Sequence, residues 1–98
     1  MAFAGKVSDV APGRLLVIDV EGEPVAVANV DGQLYAFSDT CTHRSCPLSD
    51  GELSGTVITC ACHGGQFDVT SGKVVGGPPR EPIATYPVQV VGDEFRIG

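Results

Sequence analysis

Apolar positions in this chain recur every second residue far more often than at helical spacing, and turn residues interrupt them at short intervals. That pattern predicts short antiparallel strands. Arg14–Val20 is one aliphatic, β-branched run, turned by Glu21-Gly22-Glu23. Pro24 opens Val25–Val30, where Val25, Val27 and Asn29 alternate with Ala26, Ala28 and Val30. Asp31-Gly32 is a two-residue hairpin turn, because both central positions need positive φ. Gln33–Phe37 returns with Leu34 and Ala36 on one face and Tyr35 and Phe37 on the other. Late in the chain, Ala84–Val91 and Glu94–Ile97 flank a second hairpin turn at Gly92-Asp93. Pro87 inside that run argues for an edge strand or a bulge. An amphipathic helix has room only in 1–13 or 46–54, and neither stretch carries the period for one.

The middle differs in kind. Residues 39–80 hold every Cys and His, strands at Thr56–Cys60 and Gln66–Val69, a turn at Thr70-Ser71-Gly72-Lys73, and the segment Gly76-Gly77-Pro78-Pro79. They read as a subdomain inserted between outer hairpins. With 98 residues, no linker and no repeat, the expectation is a single all-β domain over 1–98, an antiparallel sandwich or barrel.

Composition narrows the partners. Twelve Asp and Glu against 6 Lys and Arg give a net charge of -6, which repels phosphate backbones and argues against nucleic acid. The same charge suits steering toward a basic protein partner. The longest aliphatic run, Leu15–Ile18, is far short of the roughly 20 apolar residues of a membrane helix. The first residues have neither a basic n-region nor an apolar h-region, so the expected compartment is cytoplasmic. Four cysteines in a reducing compartment favour metal or redox chemistry over a disulfide framework.

The candidate chemistry lies in Cys41-Thr42-His43 and Cys60-Ala61-Cys62-His63, a C-x-H and a C-x-x-H separated by 16 residues. Each loop can present one thiolate and one imidazole to a common centre, a donor set suited to zinc or to iron–sulfur iron. Gly51, Gly55, Gly64 and Gly65 surround the loops and are expected to let backbone approach closely and point N–H groups at sulfur. Zinc fingers more often pair Cys with Cys and His with His, which disfavours a zinc-stabilised binding module.

At these residues the chain resembles the Rieske-type [2Fe–2S] proteins, in which two histidines replace two cysteines on one iron. The resemblance runs from about Val25 to Ile97 and includes Asp31-Gly32-Gln33-Leu34-Tyr35-Ala36, Cys62-His63-Gly64-Gly65-Gln66-Phe67-Asp68, Ser71-Gly72-Lys73 and Gly77-Pro78-Pro79. It implies a Rieske-like antiparallel fold with a cluster-binding subdomain, one [2Fe–2S] cluster, Cys41 and Cys60 on the inner iron, and His43 and His63 on the outer iron. In respiratory-type relatives, positions like Cys46 and Cys62 form a disulfide bracing the loops, whereas many soluble ferredoxins of the family lack both. The resemblance therefore makes Cys46–Cys62 a disulfide candidate, held inside the fold away from glutathione; two small buried thiols are the other reading.

The functional implication is a one-electron carrier and not a catalyst. An oxygenase of this family needs a second iron held by two further histidines, and this chain has two His in all. A dinucleotide fingerprint after a strand is also missing. Soluble Rieske ferredoxins of this size carry electrons from an NAD(P)H-dependent flavoprotein reductase to a terminal oxygenase of aromatic-ring catabolism. The resemblance implies those partners and a monomeric carrier. Small Rieske-like subunits of nitrite reductases are the alternative, disfavoured because they often lack the ligands. Asp39, Asp50, Glu52 and Asp68 are candidates for a docking rim, with Arg44 and Arg80 as the positive exceptions. Respiratory relatives place a serine and a tyrosine after the second loop as donors to sulfur; here Gly65 and Phe67 stand there. Without those donors the midpoint potential is expected toward the low end of the Rieske range of about −150 to +300 mV. Voltammetry of the purified protein checks this, and a value well above zero contradicts it.

Overall fold

The computed structural model describes residues 3–41, 46–62, 64–77 and 81–97. The strands among them are β1 (Phe3–Lys6), β2 (Leu15–Val20), β3 (Glu23–Val30), β4 (Gln33–Ser38), β5 (Glu52–Ser54), β6 (Val57–Thr59), β7 (Gln66–Asp68), β8 (Val74–Gly76), β9 (Thr85–Tyr86), β10 (Val88–Val91) and β11 (Glu94–Ile97). They form three sheets in the orders β1-β11-β10, β2-β3-β4-β9 and β5-β6-β7-β8, and their pairings are antiparallel. The all-β expectation holds.

Two tight turns set the register of the central sheet. Glu21 and Gly22 have φ of 54° and 87°, and Asp31 and Gly32 have 52° and 90°. Paired positive φ values are the mark of two-residue hairpins whose twist matches the strands they join. Each is held by a carboxylate or amide three residues earlier: Gly22 N–H donates to Asp19 Oδ1 at 2.7 Å, and Gly32 N–H to Asn29 Oδ1 at 2.8 Å. Asn29 is buried, and its Nδ2 donates to the Val10 carbonyl at 2.8 Å, so both ends of the amide are satisfied.

The register places Val25, Val27, Leu34 and Ala36 on one face of the sheet and Ala26, Ala28, Tyr35 and Phe37 on the other, as the alternation predicts. Both faces of β3 are buried, so this strand is a wall between two cores. The valine face packs with Val10, Val20, Phe95 and Ile97. The alanine face packs with Phe37, Leu48, Ile58, Phe67, Val69 and Ile83, and Cys41 and Cys60 belong to this second core. The sheet β5-β6-β7-β8, built wholly from residues 52–76, closes that core with the fully buried pair Ile58 and Phe67.

Several expectations need correction. Ala84–Val91 is not one strand. Pro87 cannot donate to a ladder, and the chain changes sheets there: Tyr86 pairs with Ala36, whereas Val88 pairs with Ile97. β1, β5 and β8 are strands with no alternation long enough to reveal them. In 1–13 and 46–54 the helical segments among the described residues are only the single 3₁₀ turns Val7–Asp9 and Leu48–Asp50. Gly55 (φ 61°) makes the β5–β6 turn rather than bordering a ligand loop.

Gly51 is where the first loop's return meets the end of β6. A Cβ on Gly51 would collide with the Thr59 carbonyl oxygen and lie 2.8 Å from its carbon, both backbone atoms that cannot swing aside. Gly51→Ala is therefore expected to destabilise by about 1–3 kcal/mol, as overpacking does. Urea unfolding of the variant checks this.

Candidate metal centre

Two loops of matching construction carry the candidate ligands. The first leaves β4 and is closed by the Cys41 N–H donating to the Cys46 carbonyl at 3.0 Å, above a Thr40–Pro47 bridge. The second leaves β6 and is closed by the Cys60 N–H donating to the Gly65 carbonyl at 2.7 Å, with Gly64 N–H returning to the Cys60 carbonyl at 3.0 Å. In both, the first residue is a cysteine whose N–H spans to the residue five positions on. Both cysteines are free thiols, buried to 4% and 2% exposure within the same apolar core.

His43 and His63 lie outside the described residues, as do Arg44 and Arg80. Among the described residues, no group of three or more His, Cys, Asp and Glu is positioned to hold a metal. The two buried thiols are the described part of the candidate set, and their surroundings fit a soft iron–sulfur centre: sulfur donors in an apolar, dry pocket.

The base of the first loop is pinned by Asp39, and here the docking-rim reading fails. Asp39 is buried at 5% exposure. Its carboxylate accepts Ser49 N–H at 2.8 Å and Ser49 Oγ–H at 2.9 Å, its carbonyl accepts Leu48 N–H at 2.7 Å, and its own N–H donates to the Pro24 carbonyl at 3.1 Å. It ties the loop's exit back to its entry. Asp68 is also structural. Its carboxylate accepts the Thr70 hydroxyl at 2.6 Å and the Thr70 N–H at 2.8 Å, and these bonds hold its pKa below the usual carboxylate value. Asp50 and Glu52 remain exposed, beside a groove of about 360 Å³ whose other walls are Gly51, Thr59, Cys60 and Ala61.

Two features of the second loop were less legible. Gly64 N–H bonds a carbonyl, where a bond to sulfur was expected. Gly77 (φ 82°) brings a third segment against the loop so closely that a Cβ there would sit 2.7 Å from Gly64 O and from Gly65 Cα. Phe67, at a position where respiratory relatives have a hydroxyl donor, is fully buried in the core.

Cys46 and Cys62 form a disulfide with a Cα–Cα distance of 6.5 Å. It joins the last residue of the first loop to the middle of the second. Burial from solvent does not describe it: Cys46 is half-buried, and Cys62 is exposed.

Comparison with known proteins decides the family. Residues 1–87 match the Rieske [2Fe-2S] domain. The chain belongs to the Rieske [2Fe–2S] family. It is 42% identical over 95 residues to the biphenyl dioxygenase ferredoxin subunit of Pseudomonas sp. (strain KKS102), covering 96% of this chain and 87% of that protein. It is 43% identical over 83 residues to the ferredoxin component of the naphthalene 1,2-dioxygenase system of Pseudomonas putida, covering 85% and 80%. The ferredoxin of carbazole 1,9a-dioxygenase from Nocardioides aromaticivorans IC177 superposes with a TM-score of 0.91 at 30% identity, over 96% of this chain and 92% of that one. A chain from the complex of reduced oxygenase and oxidized ferredoxin in carbazole 1,9a-dioxygenase superposes at 0.90 with 39% identity, over 94% and 86%. The Rieske fold implies one [2Fe–2S] cluster, and the two buried thiols fit it.

If Asp39 anchors the Rieske chain's first loop, Asp39→Ala leaves the Ser49 N–H without its acceptor. The expected loss is about 1–3 kcal/mol in urea unfolding, with Asp39→Asn, which keeps one acceptor oxygen, losing less.

Proposed function

We propose that this protein is a one-electron carrier whose [2Fe–2S] cluster is held by Cys41, His43, Cys60 and His63. The observation that carries the reading is the pair of matched loops, each opening on a thiol buried in one core, in a chain of the Rieske family. Bound there, the cluster supplies a reversible one-electron couple. Cys41 and Cys60 serve as thiolates on the buried side, where the apolar core excludes water. His43 and His63 complete the set as imidazoles. Their second ring nitrogens hold protons more tightly after reduction, because added negative charge raises imidazole pKa.

The electron donor we propose is an NAD(P)H-dependent flavoprotein reductase, and the acceptor a terminal oxygenase acting on aromatic substrates. The named relatives are ferredoxin components of biphenyl and naphthalene dioxygenase systems, which supports a carrier over a catalytic subunit, a nitrite-reductase subunit or a zinc module. A ferredoxin of carbazole dioxygenase has been captured with its oxygenase, which supports an oxygenase as the acceptor. The net charge of -6 suits fast encounter with basic docking surfaces. No helix among the described residues is long and apolar enough to cross a membrane, in keeping with a diffusing carrier, which we place in the cytoplasm as a monomer.

The purified protein is expected to be red-brown, to bleach with dithionite, and to show a midpoint potential that falls with rising alkaline pH. His43→Ala and His63→Ala should each abolish the visible bands while leaving urea-unfolding cooperativity. A colourless protein containing zinc and no acid-labile sulfide, or a potential independent of pH, overturns the assignment.

A further inference from the structure

The disulfide is the one covalent tie between the two loops, and its ends differ. Cys62 is exposed between Ala61, itself exposed, and the following histidine, whereas Cys46 is half-buried against the core that contains Cys41 and Cys60. The backbone bonds that shape the loops are internal to each: Cys41 to Cys46 in the first, Cys60 to Gly65 and Gly64 to Cys60 in the second. Among the described residues, none of these bonds crosses from residues 41–46 to residues 60–65. Cutting the bridge therefore leaves each loop these internal bonds and removes the covalent tie between them, with the core beneath Cys41 and Cys60 as the remaining contact.

We propose that Cys62 is a site of thiol exchange with low-molecular-weight monothiols, and that this exchange unclasps the two loops. The rate of thiol–disulfide exchange depends on the attacking thiolate, on the leaving thiol and on access to the sulfur attacked, and access is what distinguishes the two ends here. Attack on Cys62 Sγ by a thiolate forms a new S–S bond there and breaks the bond to Cys46. The bonding pair leaves on Cys46 Sγ, which takes a proton from water. The product is a mixed disulfide on Cys62 and a thiol on Cys46. A second thiolate attacking the outer sulfur releases Cys62 and carries off the small-molecule disulfide, completing a two-electron reduction of the bridge. The half-buried position of Cys46 disfavours the opposite polarity, in which the bulky adduct would sit against the core.

The consequence for the iron–sulfur centre rests on the function proposed above: a site drawn from two loops loses the covalent element that holds them in register. Two readouts keep the exchange and the cluster apart. The holoprotein is incubated with reduced glutathione, quenched in acid and mapped by peptide mass spectrometry. In parallel, loss of visible absorbance to an iron chelator is followed with and without glutathione. The expected result is a glutathione adduct on Cys62, not on Cys46, and several-fold faster bleaching once the adduct has formed. An adduct on Cys46, an even distribution, or an intact bridge overturns the exchange site. An adduct on Cys62 with an unchanged bleaching rate overturns the unclasping. A preparation without visible bands that still forms the Cys62 adduct refutes the carrier function and leaves the exchange site standing.

Discussion

Everything at the functional end depends on holding two thiols from distant parts of the chain in one dry core. Cys41 follows the β3–β4 hairpin and Cys60 ends the β5–β6 hairpin, so their sheets must meet for the sulfurs to share surroundings. The meeting is arranged by size. On β3, the face toward the thiols carries Ala26 and Ala28, and the opposite face carries Val25 and Val27. Small side chains on the first face leave space for Phe37, Phe67 and Ile58, which fill the layer between the sheets. A close-packed interior tolerates little added volume, so the alanines are as much a part of the site as the loops are.

The loops themselves are shaped by polar groups that an acidic sequence invites one to misread. Half of the carboxylates named as docking candidates have structural work: buried Asp39 gathers the exit of the first loop, and Asp68 caps the surface turn after β7. For Asp39 burial decides the matter, because a buried carboxylate must be satisfied locally; Asp68 is half-buried and spends its carboxylate on the turn. The carboxylates left to contribute to the outward field are exposed ones such as Asp50 and Glu52, within a chain of net charge -6.

Much of this was readable beforehand, for identifiable reasons. Where period-2 alternation ran for five or more residues beside a positive-φ turn, as in β3 and β4, strand positions and faces followed directly, and the continuous aliphatic run of β2 marked its position alone. Ligand candidates were visible because two Cys-and-His clusters with a fixed gap are rare. What escaped were features set by distant partners. β1 exists because β11 lies beside it. Pro87 marks a change of sheet, which a local rule can only render as an edge or a bulge. The burial of Asp39 depends on Ser49, ten residues on, and no one-dimensional pattern separates such an aspartate from a solvated one.

The disulfide brings these strands of argument together. Bridging a loop of this length contributes roughly 3 kcal/mol in the chain-entropy model, comparable to burying one large apolar side chain. Spread through the fold, that amount is modest. At the loops it counts for more, because backbone bonds fix each loop's own shape and leave their relative placement to the bridge and the packing beneath. Packing holds the base of each loop through the buried thiols, and the bridge holds the outer edge, where Cys62 faces solvent. For the carrier function proposed above this division is useful: the buried thiols sit in an apolar core, while the exposed loop edge is tied by a single bond instead of a covering layer of protein.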